Sequence, residues 1–333
     1  MTDYGTLASE PLFGLPLPEL WFGLLFAILA AFLALDGFDF GAGVVFATRD
    51  DEAERETILT AIGPFWDGNE VWLVVFGGAL FAAFPGAYAG LFGRNYLLMF
   101  GILAALILRG LAPEMYEQRH DEQWQRWWGR AFVVGSVGAP LLLGVFVGSW
   151  ITGSGAVVTV QGVTAGLALV ALSTALGVAF LRTKTTGRLH DEIRRLGEVA
   201  VVGYLLAVVA TLAASWLAAP RLAAAIATVP VAVLVVASII LAGVYVVALR
   251  RDQNLVALVA AGVATFGLSA VVGLLLFPLI DPAAGLTVEE GIVSMLQLNI
   301  MSVAAALLLP LVVTYFAVLY SSFRGPVRTS DSY

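Results

Sequence analysis

Nine mostly apolar stretches follow one another along this 333-residue chain, near 20–46, 60–84, 91–112, 128–150, 157–181, 197–218, 225–249, 254–278 and 295–321. Each is long enough to cross a hydrocarbon core of about 30 Å at about 1.5 Å per residue. In lipid a backbone must satisfy its own polar groups, so only helices and closed barrels can span. These stretches are about twice as long as barrel strands. An all-α polytopic membrane protein with nine transmembrane helices is therefore expected, as a single integral membrane domain over 1–333. Composition agrees: 60% of the residues are hydrophobic and 12% charged, whereas soluble domains carry about a quarter charged.

The basic residues predict the orientation, because positive charge collects on the cytoplasmic side. Fifteen of the 17 follow odd-numbered spans. They are Arg49 and Arg55, then Arg109, Arg119, Arg126 and Arg130, then Arg182, Lys184, Arg188, Arg194 and Arg195, then Arg250 and Arg251, and finally Arg324 and Arg328. Only Arg94 and Arg221 fall on the other side. The N-terminus is expected outside and the C-terminus in the cytoplasm. Residues 1–19 lack the basic start of a cleaved signal peptide, so the first span should be retained.

The chain has no cysteine. That excludes disulfides, thiolate-held iron–sulfur clusters and cysteine-ligated zinc within it. Its two histidines, His120 and His190, lie in polar connectors, with no second histidine at ligand spacing. No metal site and no nucleic-acid partner are expected.

Carboxylates inside the spans carry the chemistry. The first span holds Asp36 and Asp39 in LALDGFDFGAG, and the second holds Asp67 and Glu70 in PFWDGNEVW. A charge near the bilayer centre costs several kcal/mol, so such residues are functional candidates by default. Asp36 lies 13 residues before Arg49, and Asp67 lies 12 residues after Arg55. In two antiparallel helices the acids would stand at one level, about 18–20 Å from the basic surface. Each pair is spaced i, i+3 and shares a helix face. Four carboxylates in one buried region cannot all be ionised, and such a group can take up and release protons. The plainer reading is that the acids anchor the bundle through hydrogen bonds to backbone or to Arg109.

Several neighbours are supporting candidates. Trp66 and Trp72 bracket the acids and Asn69 sits between them; core packing, shielding of the acids and a place beside a redox cofactor are all open for the tryptophans. Trp21, Trp124, Trp127 and Trp128 flank spans in the manner of an interfacial belt. Glycines at 37, 41, 43, 63, 68, 77 and 78 permit close helix approach or leave room for water or a partner. Arg109 marks the end of the third span, with Glu114 nearby. Gln297 and Asn299, inside the last span, suit interhelical hydrogen bonds. VFGGALFAAFPG and TFGLSAVVGLLLFPLI each pair an FG with a later FP, which alone does not establish a repeat.

The runs DGFDFGAG, AIGPFWDGNEVWLVVFGGALFAAFP, LRTKTTGRLHDE, LFPLIDPA and LQLNIMSVAAALLLPLVVTYFAVLY resemble subunit II of the cytochrome bd-type ubiquinol or menaquinol oxidases. The resemblance implies two four-helix bundles plus a peripheral helix, in a prokaryotic cytoplasmic membrane. It implies a complex that oxidises quinol and reduces dioxygen to water with cytoplasmic protons, so this chain would not be catalytic alone. Haems b and d would belong to a larger partner, subunit I, in a heterodimer; whether small accessory subunits join it stays open. A bound quinone in this chain stays open. The family's proton-route acids fall on Asp36, Asp39 and Asp67. Glu70 stands where some members carry glutamine, and Pro113 precedes Glu114 where an aromatic is usual.

Two rival classes share the buried acids. A proton-coupled secondary transporter would have broken helices and a central substrate cavity. A purely structural subunit would tolerate Asp→Asn at every acid.

Overall fold

The computed structural model describes residues 8–327, so Arg328 of the basic count lies outside the described residues. After a single 3-10 turn at Leu12–Gly14, the chain is built from helices. The first half comprises α1 (Leu17–Phe46), α2 (Glu52–Ile62), α3 (Trp66–Ala83), α4 (Pro85–Arg94), α5 (Tyr96–Glu117) and α6 (Glu122–Thr152). The second comprises α7 (Val160–Lys184), α8 (Arg188–Glu192), α9 (Arg194–Ala218), α10 (Pro220–Ile226), α11 (Val229–Arg250) and α12 (Asn254–Leu276). A two-stranded antiparallel ribbon, β1 (Leu279–Asp281) and β2 (Leu286–Thr287), then leads through α13 (Val288–Gly291) to α14 (Met295–Ser322).

Among the described residues, eight helices are long and apolar enough to cross a membrane. The expected second span is the exception. It is not one helix over 60–84: the chain breaks at Gly63-Pro64-Phe65 between α2 and α3. Proline lacks the N–H that a continuing helix needs. The resulting α3 has 18 residues, and Trp66, Asp67, Asn69 and Glu70 fill its first turns with polar and amphipathic groups. The third and seventh stretches also change, because α5 and α11 are preceded by the short separate helices α4 and α10.

Polar side chains set the helix starts. Asp51 accepts from Ala53 N (2.9 Å) at α2, Asp121 from Trp124 N (3.1 Å) at α6, and Thr159 from Gly162 N (3.0 Å) at α7. Each satisfies a backbone donor that the first turn leaves free. Gly153 closes α6 at φ +61°, a conformation suited to glycine.

Packing centres on α1 and α7. The helix α7 lies against α1, α6, α9 and α12, while α1 also meets α3, α6 and α12. The α1–α7 crossing is close enough that a Cβ on Gly41 would run into the backbone of Ser173 and Gly177. Here the glycine serves contact, as small residues do between membrane helices. By contrast, Gly77 and Gly78 on α3 face open space.

Arginines tie the helix ends. Arg221 donates to Leu275 O (2.7 Å) and Ile151 O (2.6 Å), the last carbonyls of α12 and α6. On the opposite, arginine-rich side, Arg182 binds Asn254 Oδ1 (2.9 Å) and Asp252 Oδ1 (2.5 Å).

Candidate functional site

α1 places Asp36 and Asp39 one turn apart, and both are 0% exposed. Opposite them, the buried stripe of α3 runs through Asn69, Trp72, Phe76, Leu80 and Ala83. That is the i, i+3, i+7 spacing of one helix face. Asn69 is thus the group that α3 turns toward α1. Its Nδ2 donates to Asp39 Oδ2 (2.9 Å) and to Leu35 O (3.2 Å).

α5 supplies the countercharge. Arg109, 1% exposed, donates from Nη2 to Asp36 Oδ1 at 2.7 Å and to Glu70 Oε2 at 3.1 Å. The rings of Phe40 and Trp66 lie 5.3 and 5.8 Å from its guanidinium carbon, within cation–π range. Gly135 on α6 makes room for it, since a Cβ there would come within 2.5 Å of Arg109 N. Four buried polar atoms at the centre have no partner among the described residues: Asp36 Oδ2, Asp39 Oδ1, and Arg109 Nε and Nη1. Buried polar groups are normally hydrogen-bonded, so these atoms set the centre apart from the rest of the core.

The break before α3 opens a cavity of about 630 Å³ at the arginine-rich end. Trp66, Glu56, Glu114, Glu117 and His120 are among its lining residues. Trp66 therefore stands between this acidic cavity and Arg109.

The predicted residues divide. Asp36, Asp39, Glu70, Asn69, Arg109 and Trp66 come together. Asp67 does not: it is exposed on α3. At 100° per residue it points nearly opposite Asn69, so the expected four-acid cluster has three members. Arg109 is a buried ion-pair centre rather than an edge marker. Trp72 is buried 5.6 Å from Phe316 and packs toward α14. Among the described residues Gln297 makes no interhelical bond but caps its own helix with Ser294 (2.9 Å). Asn299 binds the leading segment, donating to Glu10 O (2.9 Å) and accepting from Leu12 N (2.8 Å). Asp36 lies 10 residues, about 15 Å, before the end of α1 at Phe46, and Arg49 follows just beyond that end. His120 is exposed, while His190 Nδ1 lies 3.1 Å from Thr185 O in a connector.

Sequence reasoning missed Tyr320, whose hydroxyl donates to Asn69 Oδ1 at 2.8 Å. Its neighbours VLYSSF look like any aromatic-ended span, and nothing local marks it.

The family profile described as cytochrome bd terminal oxidase subunit II matches residues 17–323. This chain belongs to that family. The subunit II chain is 32% identical to the cytochrome bd ubiquinol oxidase subunit 2 of Bacillus subtilis (strain 168), covering 95% of this chain and 98% of that one. It is 28% identical to the cytochrome bd-I ubiquinol oxidase subunit 2 of Escherichia coli (strain K12), covering 94% and 95%. The solved structure of the bd oxidase from Geobacillus thermodenitrificans shares the fold, with a TM-score of 0.75 at 18% identity over 92% of this chain and 98% of that one. Membership makes the subunit II chain a multi-pass component of a quinol oxidase, an oxidoreductase complex.

Proposed function

We propose that this subunit II takes up cytoplasmic protons and passes them through its buried carboxylates to a haem-bearing subunit I, where quinol electrons reduce dioxygen to water. The observation that carries the reading is the fully buried Asp36–Asp39 pair, joined through Arg109 to the part-exposed Glu70. One guanidinium offsets one negative charge. Three acids around it therefore hold at least one proton that can be exchanged.

The acidic cavity behind Trp66 is the mouth of this route. Glu56, Glu114, Glu117 and His120 collect protons there, and Trp66 limits water contact with the ion pair. Protons then pass by way of Glu70 to Asp36 and Asp39. Asp67, on the uncovered face of α3, meets the partner and hands protons across. Haem, bound in subunit I, supplies electron transfer to dioxygen. Support for placing haems b and d there is that this chain has no cysteine and keeps both histidines in connectors.

The finer architecture goes with this reading. α1, α3, α5 and α6 form one four-helix bundle, α7, α9, α11 and α12 a second, and α14 lies outside as the ninth crossing. The arginine-rich ends face the cytoplasm of a prokaryotic cell, with the N-terminus outside. A proton-coupled transporter would need no oxidase partner, and the family assignment does not favour it.

The test is Asp39→Asn in the two-subunit complex. Quinol-driven oxygen consumption should fall by about tenfold, equal to about 1.4 kcal/mol of barrier, while haem content stays normal. Unchanged turnover would show that the buried acids only hold the bundle together.

A further inference from the structure

α14 packs sparsely: Leu298 and Asn299 are its buried residues. Yet its far end reaches the carboxylate pair. Tyr320 Oη donates to Asn69 Oδ1 (2.8 Å), and Asn69 Nδ2 donates to Asp39 Oδ2 (2.9 Å). The Tyr320 ring lies 4.7 Å from that of Phe65 and 6.2 Å from that of Phe38, so the hydroxyl is held in place by the helix break itself.

The two ends of the Asn69 amide differ: the nitrogen only donates and the oxygen only accepts. Leu35 O and the Asp39 carboxylate both need the nitrogen, while the oxygen on the other side needs a donor. Tyr320 supplies it. We propose that Tyr320 is a positioning residue for Asp39, holding the Asn69 amide so that its N–H faces the carboxylate. The inference rests on the proton-transfer reading above.

Without the hydroxyl, the oxygen of a 0% exposed asparagine has no donor. The amide is then aimed only by its own N–H bonds to Leu35 O and Asp39, and the bond to the Asp39 carboxylate loosens. A carboxylate that is less well hydrogen-bonded is less favoured in its charged form. Asp39 therefore keeps its proton to higher pH. The other groups that face Asp39 are unaltered by the change: Asp36 on α1, Glu70 on α3 and Arg109 on α5. α7 meets this stretch of α1 with Ser173, Leu176 and Gly177, and α6 meets it with Ser136 and Phe132; none of these titrates near neutrality.

The experiment measures quinol-driven oxygen consumption against pH for the complex carrying Tyr320→Phe. The alkaline fall-off should move upward by about one pH unit, a tenfold change in proton affinity, with haem content unchanged. In an Asn69→Leu background, Tyr320→Phe should add no further shift, because the coupled pair is already broken. Phe316→Leu, which removes another α14 ring without touching the amide, should leave the profile in place. A wild-type profile for Tyr320→Phe overturns the inference. So does an equal shift from Phe316→Leu, which would make α14 packing the cause, and so does loss of haem, which would make Tyr320 an assembly residue. If Asp39→Asn slows turnover while Tyr320→Phe changes nothing, only this inference fails. If Asp39→Asn leaves turnover unchanged, the proton-transfer reading fails with it.

Discussion

Arg109 Nη2 stands 2.7 Å from Asp36 Oδ1, and neither side chain reaches solvent. The same nitrogen binds Glu70, the only acid of the three with part of its side chain exposed. One cation thus links an outer acid to an inner pair, and its removal acts on both.

Arg109→Gln should destabilise the chain by about 3–5 kcal/mol, because a buried charge is left without its partner. Thermal loss of haem absorbance in detergent reads this as a marked drop in melting temperature. A variant that melts with the wild type would mean that Asp36 is already neutral and has no need of the arginine.

Asp67 and Asp39 should differ in reach. The chain has no cysteine, so Asp67→Cys and Asp39→Cys each introduce a single thiol. A membrane-permeant maleimide should label the Asp67→Cys chain expressed without its partner and leave the Asp39→Cys chain unlabelled. In the assembled complex the Asp67 position should become protected. Equal labelling with and without partner would show that this face of α3 stays uncovered.

Gly41→Ala should abolish stable accumulation, since the methyl group meets backbone on α7 that has no rotamer to yield. Gly77→Ala, with nothing within 4 Å, should leave the fold of this chain intact. Expression level and melting of the two variants, side by side, check the contrast.

Lys184 fastens the end of α14. Its ammonium donates to Phe323 O and lies 5.0 and 5.7 Å from the rings of Phe65 and Phe180. Its own carbonyl accepts from Val327 N at 2.9 Å. Lys184→Met should release the segment beyond Ser322 and cost about 1 kcal/mol of cation–π attraction. Limited trypsin digestion should then cut sooner after Arg324. Unchanged kinetics would mean that the Val327 bond alone suffices.

Hydropathy made the long helices legible, because a span is a property of many residues at once. It failed at the second span, where the deciding feature was a single proline: Pro64 ends one helix and re-registers the next. The error over Asp67 has the same origin. Spacing correctly paired Asp67 with Glu70 but could not say which edge of that face turns inward. The apolar stripe Trp72, Phe76, Leu80 and Ala83 could have, for it extends back to Asn69 and leaves Asp67 outside. Arg109 was visible as a partner for the acids but indistinguishable from a surface arginine, since only tertiary packing buried it. Tyr320 lies 251 residues from Asn69, and no local pattern links them.

The order of the helices governs how the Arg109 ion pair can be made. α1, with Asp36 and Asp39, leaves the ribosome before α5 brings Arg109. An aspartate or arginine at mid-helix resists insertion by about 3 kcal/mol when alone. The acids of α1 and α3 therefore enter the membrane before their countercharge, and the cluster is complete only when α5 arrives. Faults at this cluster should first appear as rapid degradation of newly made chains, before any mature oxidase exists to be slow.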